Sequence, residues 1–568
     1  MITKENQIKF YTEELKEIEF SVKKTFNSLA LSLFQNGEIL VGQYKGFDQK
    51  RANVFVDIPI GHGYHSPRLD QKFTCFTLAP GLERPTKWTD ISYVEILKDR
   101  NRSDTKVIDF TASKREGWIT MLIREIDSEF VDSLQYNQIL GFGPVIPPYE
   151  YIENLLAFSK GISVDQSNIW NDILSFKYRS NKDNYPILLT EEIDIAKLII
   201  EKVDESKVFI LQGPPGTGKT HQIADLASRL VSKGNSVLLT ALTNKAALEV
   251  CTKSFFDKLF DLEKIFKLPL LLDEKRRFPK LLATDNLLPV KGHLNLTTYY
   301  QFSKIWTTQT QTYDYVIVEE ASQAFLTTIA AACKVGKKVI IIGDPKQIVP
   351  IVSNKDFNKI PNVSWLINGM QTVSNIDDFS YYRKVETRRL TKRACMFTNS
   401  FYENTMVAKS LIDNLEQEIE ELHFLKQYIP NQGGPVLVRF KNVNILEQMI
   451  EFLVKGINEL SGSGKNEIAV LTPYVDTLKI LQQNLKQRTV AKNFLIESVD
   501  RVQGLDVDYC FYVVAKSSSF SFDTNRFNVA TSRAKKVTFI LVEENFDKLL
   551  VFSNEVVDFL EKFKKQSN

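Results

Sequence analysis

Residues 208–232 read VFILQGPPGTGKTHQIADLASRLVS. A five-residue apolar run enters the loop Gly213-Pro214-Pro215-Gly216-Thr217-Gly218-Lys219-Thr220, and a stretch with helical spacing follows. This is the strand–loop–helix context that the GxxxxGK[ST] pattern requires. Glycines let the backbone wrap a phosphate with its N–H groups pointing inward, and the helix N-terminus adds partial positive charge. Lys219 has the reach for β- and γ-phosphates, and the Thr220 hydroxyl suits Mg²⁺. The competing reading, a glycine-rich turn that binds nothing, is outweighed by the full pattern in its full context.

Outward from this loop, the chain from residue 185 alternates strand-like and helix-like runs. VFILQ, SVLLTAL, YVIVEE and KVIIIGDP form one series, and PVLVRF, EIAVLTPY, YCFYVVA and VTFILV a second. Near-continuous apolar runs suit strands buried on both faces of a parallel sheet. The expected fold class is therefore α/β, with two parallel-sheet domains over residues 185–350 and 351–568. Residues 1–35 have helical spacing. Residues 36–125 carry short β-branched and aromatic runs (EILVGQY, ANVFVDIP, KFTCFTLA, GWITMLI) and predict a small β-domain. Residues 126–184 are expected to be mostly helical, with turns near GFGPVIPPYE.

Bulk properties narrow the class. The chain has 568 residues, 43% hydrophobic and 25% charged, an ordinary globular composition with apolar side chains for several cores. A formal net charge of +3 does not announce a nucleic-acid partner, so any basic surface must be local. The five cysteines (Cys75, Cys251, Cys333, Cys395, Cys510) form no CxxC pair. That speaks against zinc and against a disulfide framework and fits a reducing cytoplasm. The first twenty residues are too charged for a signal peptide, and no apolar run is long enough to span a bilayer. A cytoplasmic protein without a membrane partner is expected.

Two further strand ends carry chemistry. YVIVEE finishes on Glu319 and Glu320, at the end of a parallel strand, where such sheets bind ligands. One carboxylate can hold hydrated Mg²⁺ and the other can orient or deprotonate water. Alone, an ordinary solvated strand end would be the better reading; the upstream phosphate loop reverses that. KVIIIGDP leads to Gln347, which can sense a γ-phosphate. Alone, a plain strand exit is an equal alternative there.

The ordered set is more specific than any member. GPPGTGKT (213–220), TALTNKAALEV (240–250), LNLTT (294–298), VEEASQA (318–324) and GDPKQIVP (343–350) are followed by TRRLTKRACMFTNSFYEN (387–404), LTPY (471–474), ESVDRVQGLDVD (497–508) and NRFNVATSRAKK (525–536). In this order they resemble the motifs of superfamily 1 helicases, in particular the branch containing the nonsense-mediated-decay helicase. The resemblance covers about residues 185–545. It implies two RecA-like domains that bind ATP, or another nucleoside triphosphate, and Mg²⁺ between them. It implies that Arg388 and Arg533 reach the γ-phosphate from the second domain, and that Gly504 and Asp506 lie near the nucleotide. A planar, permanently charged guanidinium suits such a role. Arg383 also follows a tyrosine; Arg388 is chosen because Phe401-Tyr402 then falls at the family's spacing.

The same resemblance implies a single strand of DNA or RNA across both domains. Thr243, Asn244, Thr298, Thr472, Tyr474 and Ser498 match positions near its backbone or bases. Small hydroxyls and amides bind phosphate and sugar without reading sequence, and aromatic rings add stacking. Singly, each is more often a cap or turn residue. The basic run Lys275-Arg276-Arg277 offers a further nucleic-acid contact, with a solvated loop as the better reading. Helix, β-domain, helix over residues 1–184 is similar to the β-barrel on helical stalks of relatives that move 5′ to 3′. No motif specifies a 2′-hydroxyl contact; DNA is slightly favoured over RNA.

Three positions depart from the family. The usual motif II aspartate is Glu319, whose extra methylene crowds a metal that demands near-octahedral geometry, so reduced or retuned hydrolysis, rather than none, is expected. The adenine-reading glutamine is replaced by Ile193, and the stacking tyrosine before the motif IV arginine by Thr387. Both remove contacts to the base while the phosphate machinery stays, which predicts relaxed base selectivity. Two alternatives stand beside the motor: a weakly hydrolysing single-strand clamp, and a motor subunit of an antiviral or repair assembly with a separate nuclease. The motif IV to VI series argues against a small-molecule kinase.

Overall fold

The computed structural model describes residues 2–50, 53–59, 67, 72–113, 117–146, 149–163, 168–179, 184–190, 193–306, 308, 310–412, 414–441, 443–462, 466–491, 494–502, 504–549 and 551–565. The chain forms two compact units: residues 12–150 with 270–279, and residues 1–11, 151–269 and 280–568.

The smaller unit is built around a closed antiparallel barrel. Its strands are β1 (Leu40–Asp48), β2 (Asn53–Pro59), β3 (Lys72–Thr77), β4 (Arg102–Ser113), β5 (Trp118–Arg124) and β6 (Ile139–Gly143), in the order β1-β2-β5-β4-β3-β6. Period-two patterning explains the closure. Val54, Val56 and Ile58 of β2 and Ile119, Met121 and Ile123 of β5 point into one core, as alternate residues of a strand must. The sixth strand lies beyond the expected limit of this domain, residue 125, inside the segment expected to be helical. ILGFG reads locally as a turn; it becomes a strand because β1 and β3 both need a partner to close the barrel. Lys275-Arg276-Arg277 ends a short helix, Leu272–Arg277, and Arg276 donates to the carbonyl of Gln49 within this unit.

The larger unit holds two parallel sheets. The first contains β7 (Ile187–Leu189), β8 (Val208–Gln212), β9 (Val237–Ala241), β10 (Ile265–Leu268), β11 (Leu282–Ala283), β12 (Leu294–Thr298), β13 (Tyr313–Val318), β14 (Gly336–Gly343) and β15 (Ser380–Lys384). Their order is β11-β10-β12-β9-β13-β14-β8-β15-β7. β8, β9 and β13 are buried at every position, as strands covered on both faces are. The expected boundary at 350/351 falls short: residues 380–384 pair in parallel with β8, Tyr382 opposite Leu211 and Arg383 opposite Gln212. That pairing spans some 170 residues of chain and leaves no local signature.

After the short pair β16 (Glu386–Thr387) and β17 (Val407–Ala408) comes the second sheet: β18 (Gly434–Phe440), β19 (Ile468–Thr472), β20 (Leu495–Ser498), β21 (Val507–Val513) and β22 (Ala534–Glu543), in the order β18-β22-β21-β19-β20. Alternation along these strands sorts the lobe into two cores. Leu471, Tyr512 and Ile540 face one, and Val470, Phe511 and Phe539 face the other. The fold is thus α/β, two parallel-sheet lobes of RecA-like type plus a six-stranded antiparallel barrel. Among the described residues, no helix is long and apolar enough to cross a membrane.

Candidate nucleotide site and nucleic-acid face

The phosphate loop leaves the carboxyl end of β8 and runs into the helix Lys219–Ser232, which buries Ile223, Ala224, Leu226, Ala227, Leu230 and Val231 on one stripe. Gly216 and Gly218 have φ near +73° and +75°, a region that favours glycine. At Gly216 a Cβ would also lie 2.4 Å from Cβ of Arg389 and 2.6 Å from Oγ1 of Thr387. The loop tip therefore sits against the motif IV segment, and the Gly216 carbonyl accepts from the Arg388 amide at 3.0 Å. The Lys219 ammonium donates to the Gly213 carbonyl at 2.6 Å. Burial pushes its pKa down, opposed by the nearby Glu320 and Asp344 carboxylates.

A cavity of about 880 Å³ opens over this loop, a size that suits a nucleotide. Residues 215–220, Glu320 and Gln347 line it from the first lobe, and Arg388, Arg389, Gly504, Asp506 and Arg533 from the second. Gly213 and Pro214 stay behind the lining. Glu320 has a left-handed backbone, φ +54°, uncommon outside glycine, and it lines the cavity. Glu319 is not among the lining residues. It is 4% exposed, and its Oε2 is buried without a hydrogen-bond partner. Burial first, and Glu320 second, push its carboxyl well above the usual range.

Of the two candidate arginines, Arg388 lines the cavity, whereas Arg383 lies on β15 paired with Glu403. Arg533 is 1% exposed, held by Nε donating to the Val529 carbonyl at 2.9 Å. Burial and the neighbouring Arg389 lower its pKa to about 10, so it stays charged at neutral pH. Sequence reasoning passed over Arg389, which ion-pairs with Asp506 and donates to the Ser532 carbonyl at 3.1 Å. Its only signal was the arginine doublet.

Sequence reasoning also missed a buried network that joins the lobes beneath the cavity. Asp344, after β14, accepts from Gln212 (3.1 Å), Gln347 (3.0 Å) and the Tyr402 hydroxyl (2.6 Å). Asn528, on the motif VI helix, donates at 2.8 Å both to Tyr402 Oη and to the Lys346 carbonyl. Gln212 is further held by Tyr381 at 2.8 Å and does not line the cavity. Ile193 is 40% exposed and Thr387 fully buried, so neither supplies a polar or stacking contact to a base.

The six residues matched to nucleic-acid positions stand at carboxyl ends of parallel strands. Thr243 and Asn244 follow β9, and Thr298 ends the adjacent β12. The hydroxyls of Thr243 and Thr298 cap helices, accepting from Ala246 and Gln301 amides; as acceptors they keep an O–H to donate. Asn244 Oδ1 accepts from Lys267 Nζ at 2.9 Å. In the second sheet Thr472 of β19 stands opposite Ser498 of β20, and the buried Thr472 hydroxyl has no hydrogen-bond partner. Tyr474 hydrogen-bonds Ser518 and packs its ring 5.5 Å from that of Phe520.

Fold and cavity define a two-lobed P-loop protein with its phosphate loop facing arginines of a second lobe. An AAA domain model matches residues 196–353, and a second AAA domain model matches residues 389–545. One falls on each lobe, so each lobe matches an AAA domain. It is 25% identical over 368 residues to the replicase polyprotein 1ab of Alphamesonivirus 1, covering 61% of this chain and 7% of that one. It is 27% identical over 376 residues to the DNA replication ATP-dependent helicase/nuclease dna2 of Schizosaccharomyces pombe, covering 57% of this chain and 26% of that one. The chain therefore spans about a quarter or less of these relatives. A crystal structure of Arterivirus nonstructural protein 10 (helicase) aligns over 90% of this chain and 80% of that one, at 13% identity and a TM-score of 0.37, too low to bear on the fold.

Proposed function

We propose that the chain is a nucleoside-triphosphate-driven helicase or translocase on single-stranded nucleic acid, moving 5′ to 3′, with DNA favoured over RNA. The observation that carries this reading is the cavity itself. Lys219, Glu320 and Gln347 face it from one lobe, and Arg388 and Arg533 from the other. A γ-phosphate gripped by both walls stabilises the closed arrangement, and its loss releases it; this differential contact is what a ligand-driven switch requires. Each closure would advance one lobe along a strand lying over the carboxyl ends of both sheets. The Dna2 relative, named an ATP-dependent helicase, supports the same activity.

In this reading Lys219 neutralises the β- and γ-oxygens, Glu320 orients and deprotonates the attacking water, and the two arginines take up charge that develops as the bond breaks. Mg²⁺ fits the donors: Thr220 lines the cavity, and Glu319 carries a buried carboxylate oxygen with no hydrogen-bond partner. These two would hold the ion, which supplies charge neutralisation to the phosphates.

The test is triphosphatase turnover with single-stranded DNA and RNA side by side, then unwinding of duplexes with 5′ or 3′ tails. Stimulation by nucleic acid and its loss in Lys219→Ala are expected. Persistent turnover in that variant, free of contaminating enzyme, would overturn the assignment. A second reading, a single-strand clamp with little turnover, draws on the burial of Glu319; binding without stimulated hydrolysis would select it.

A further inference from the structure

Resting on the nucleotide-binding reading, we infer that the loop Lys409–Ile412 is the platform for the nucleobase, with the side chain of Leu411 as its contact surface. The two base contacts usual at these positions are gone: Ile193 cannot read an edge, and Thr387 is buried. A nucleotide seated with its phosphates on Lys219 still needs an apolar surface for the base, because a ring face left in water gains nothing on binding.

The cavity lining offers few such surfaces. Among the described residues that line it, glycines aside, Pro215, Leu411 and Ile412 are the apolar ones; the rest are charged or polar. Leu411 is fully exposed, so its whole side chain is open to contact by a ligand in the cavity. Its position is built rather than loose. β17 pairs in parallel with β16, Thr387 opposite Ala408, and the next amide, Lys409, donates to the Thr387 carbonyl at 2.8 Å. The loop thus leaves the sheet beside Thr387, where the family's stacking tyrosine would stand. On the far side Ile412 packs against the second-lobe core, and its amide donates to Ser410 Oγ at 3.1 Å. Anchored at both ends, the loop holds Leu411 outward over the cavity.

A leucine offers dispersion and desolvation but no hydrogen bond, so it receives purines and pyrimidines alike. The platform therefore gives base affinity without base identity. It also belongs to the second lobe, so the base, like the γ-phosphate, would bridge the lobes.

The experiment compares wild type, Leu411→Ala and Leu411→Tyr for dissociation constants of the Mg²⁺ complexes of ATP, GTP, CTP, UTP and inorganic tripolyphosphate. Because the site is fully exposed, unliganded melting temperatures should coincide. The expected result for Leu411→Ala is about fivefold weaker binding of all four nucleotides, the effect of losing part of a buried leucine contact, with tripolyphosphate unchanged. Leu411→Tyr should tighten all four. Nucleotide affinities unmoved by Leu411→Ala, or tripolyphosphate weakened equally, would overturn the platform while leaving the triphosphatase reading intact. Wild type that binds tripolyphosphate and nucleotides equally would overturn it too. Failure to bind any nucleotide would overturn both.

Discussion

The Tyr402 hydroxyl donates a 2.6 Å hydrogen bond to the Asp344 carboxylate, tying the second lobe to the end of a central strand of the first. Tyr402 also packs in the second-lobe core, and both residues are fully buried. The bond lies directly beneath Gln347, which donates to the same carboxylate oxygen and lines the cavity. A cavity-lining glutamine and an inter-lobe tie therefore share one acceptor.

Tyr402→Phe removes that donor and leaves Asn528 with one acceptor fewer. A buried hydrogen bond to a charged group contributes about 1.5–3 kcal/mol, so thermal stability should fall. If the tie also holds Gln347 in place, kcat should drop while KM for nucleotide stays within about twofold. Calorimetry and steady-state triphosphatase assays measure the two separately. A fall in stability with kcat unchanged would confine Tyr402 to a structural role.

Arg388 and Arg383 should separate cleanly. Arg388→Ala removes a charge from the cavity, and kcat should fall by about 10²–10³-fold, the usual cost of losing a donor aimed at developing charge, with the melting temperature nearly unchanged. Arg383→Ala breaks the buried end of its pair with Glu403 and should cost about 1–3 kcal/mol of stability. Denaturant titration and turnover of both variants decide it, and reversed results would exchange the two roles.

Glu319→Asp shortens a carboxylate that is buried, unpartnered on one oxygen and withdrawn from the cavity lining. Aspartate is the residue usual at this position in the family the motifs resemble, and its carboxylate suits near-octahedral Mg²⁺. Turnover at saturating Mg²⁺ should rise by about threefold to tenfold, equivalent to about 0.7–1.4 kcal/mol of barrier. A decrease would mean that the surrounding site is fitted to glutamate.

Base selectivity should be flat. With Ile193 exposed and Thr387 buried, kcat/KM for ATP, GTP, CTP and UTP should agree within about tenfold, or 1.4 kcal/mol. A larger preference for ATP would require an adenine-reading group elsewhere in the cavity.

Asp314 supplies a pH signature away from the site. Burial pushes its carboxyl up, but hydrogen bonds from Lys291, from the Ser236 amide and hydroxyl, and from Lys337 outweigh it and hold the pKa well below the usual range. Folding thus favours the ionised form, and its stabilisation is present above the unfolded value near 3.9 and lost as pH falls below it. Asp314→Asn should cost about 2 kcal/mol at pH 7, and the difference from wild type should shrink below about pH 4. A difference independent of pH would assign the effect to packing.

Much of this chemistry was legible locally. The phosphate loop is eight consecutive residues between a strand and a helix, and each strand-end motif sits where its own sequence ends a buried run. The barrel's sixth strand and β15 were not legible, because each becomes a strand through partners far along the chain: Phe142 opposite Leu40 and Cys75, and Arg383 opposite Gln212.

By itself, then, the sequence determined the class of fold, the order of the motifs and the place of the glycine-rich loop between a strand and a helix, since those depend on contiguous patterning and backbone geometry. Only the tertiary structure decided which arginine faces the cavity, that Glu319 is withdrawn while Glu320 lines it, and that Asp344, Tyr402 and Asn528 form one network. Those outcomes depend on contacts spanning 58 and 126 residues of chain, closed by burial and pairing that no local window contains. The loop at 213–220 is a local pattern; the second lobe folded against it sets arginines across the cavity from it.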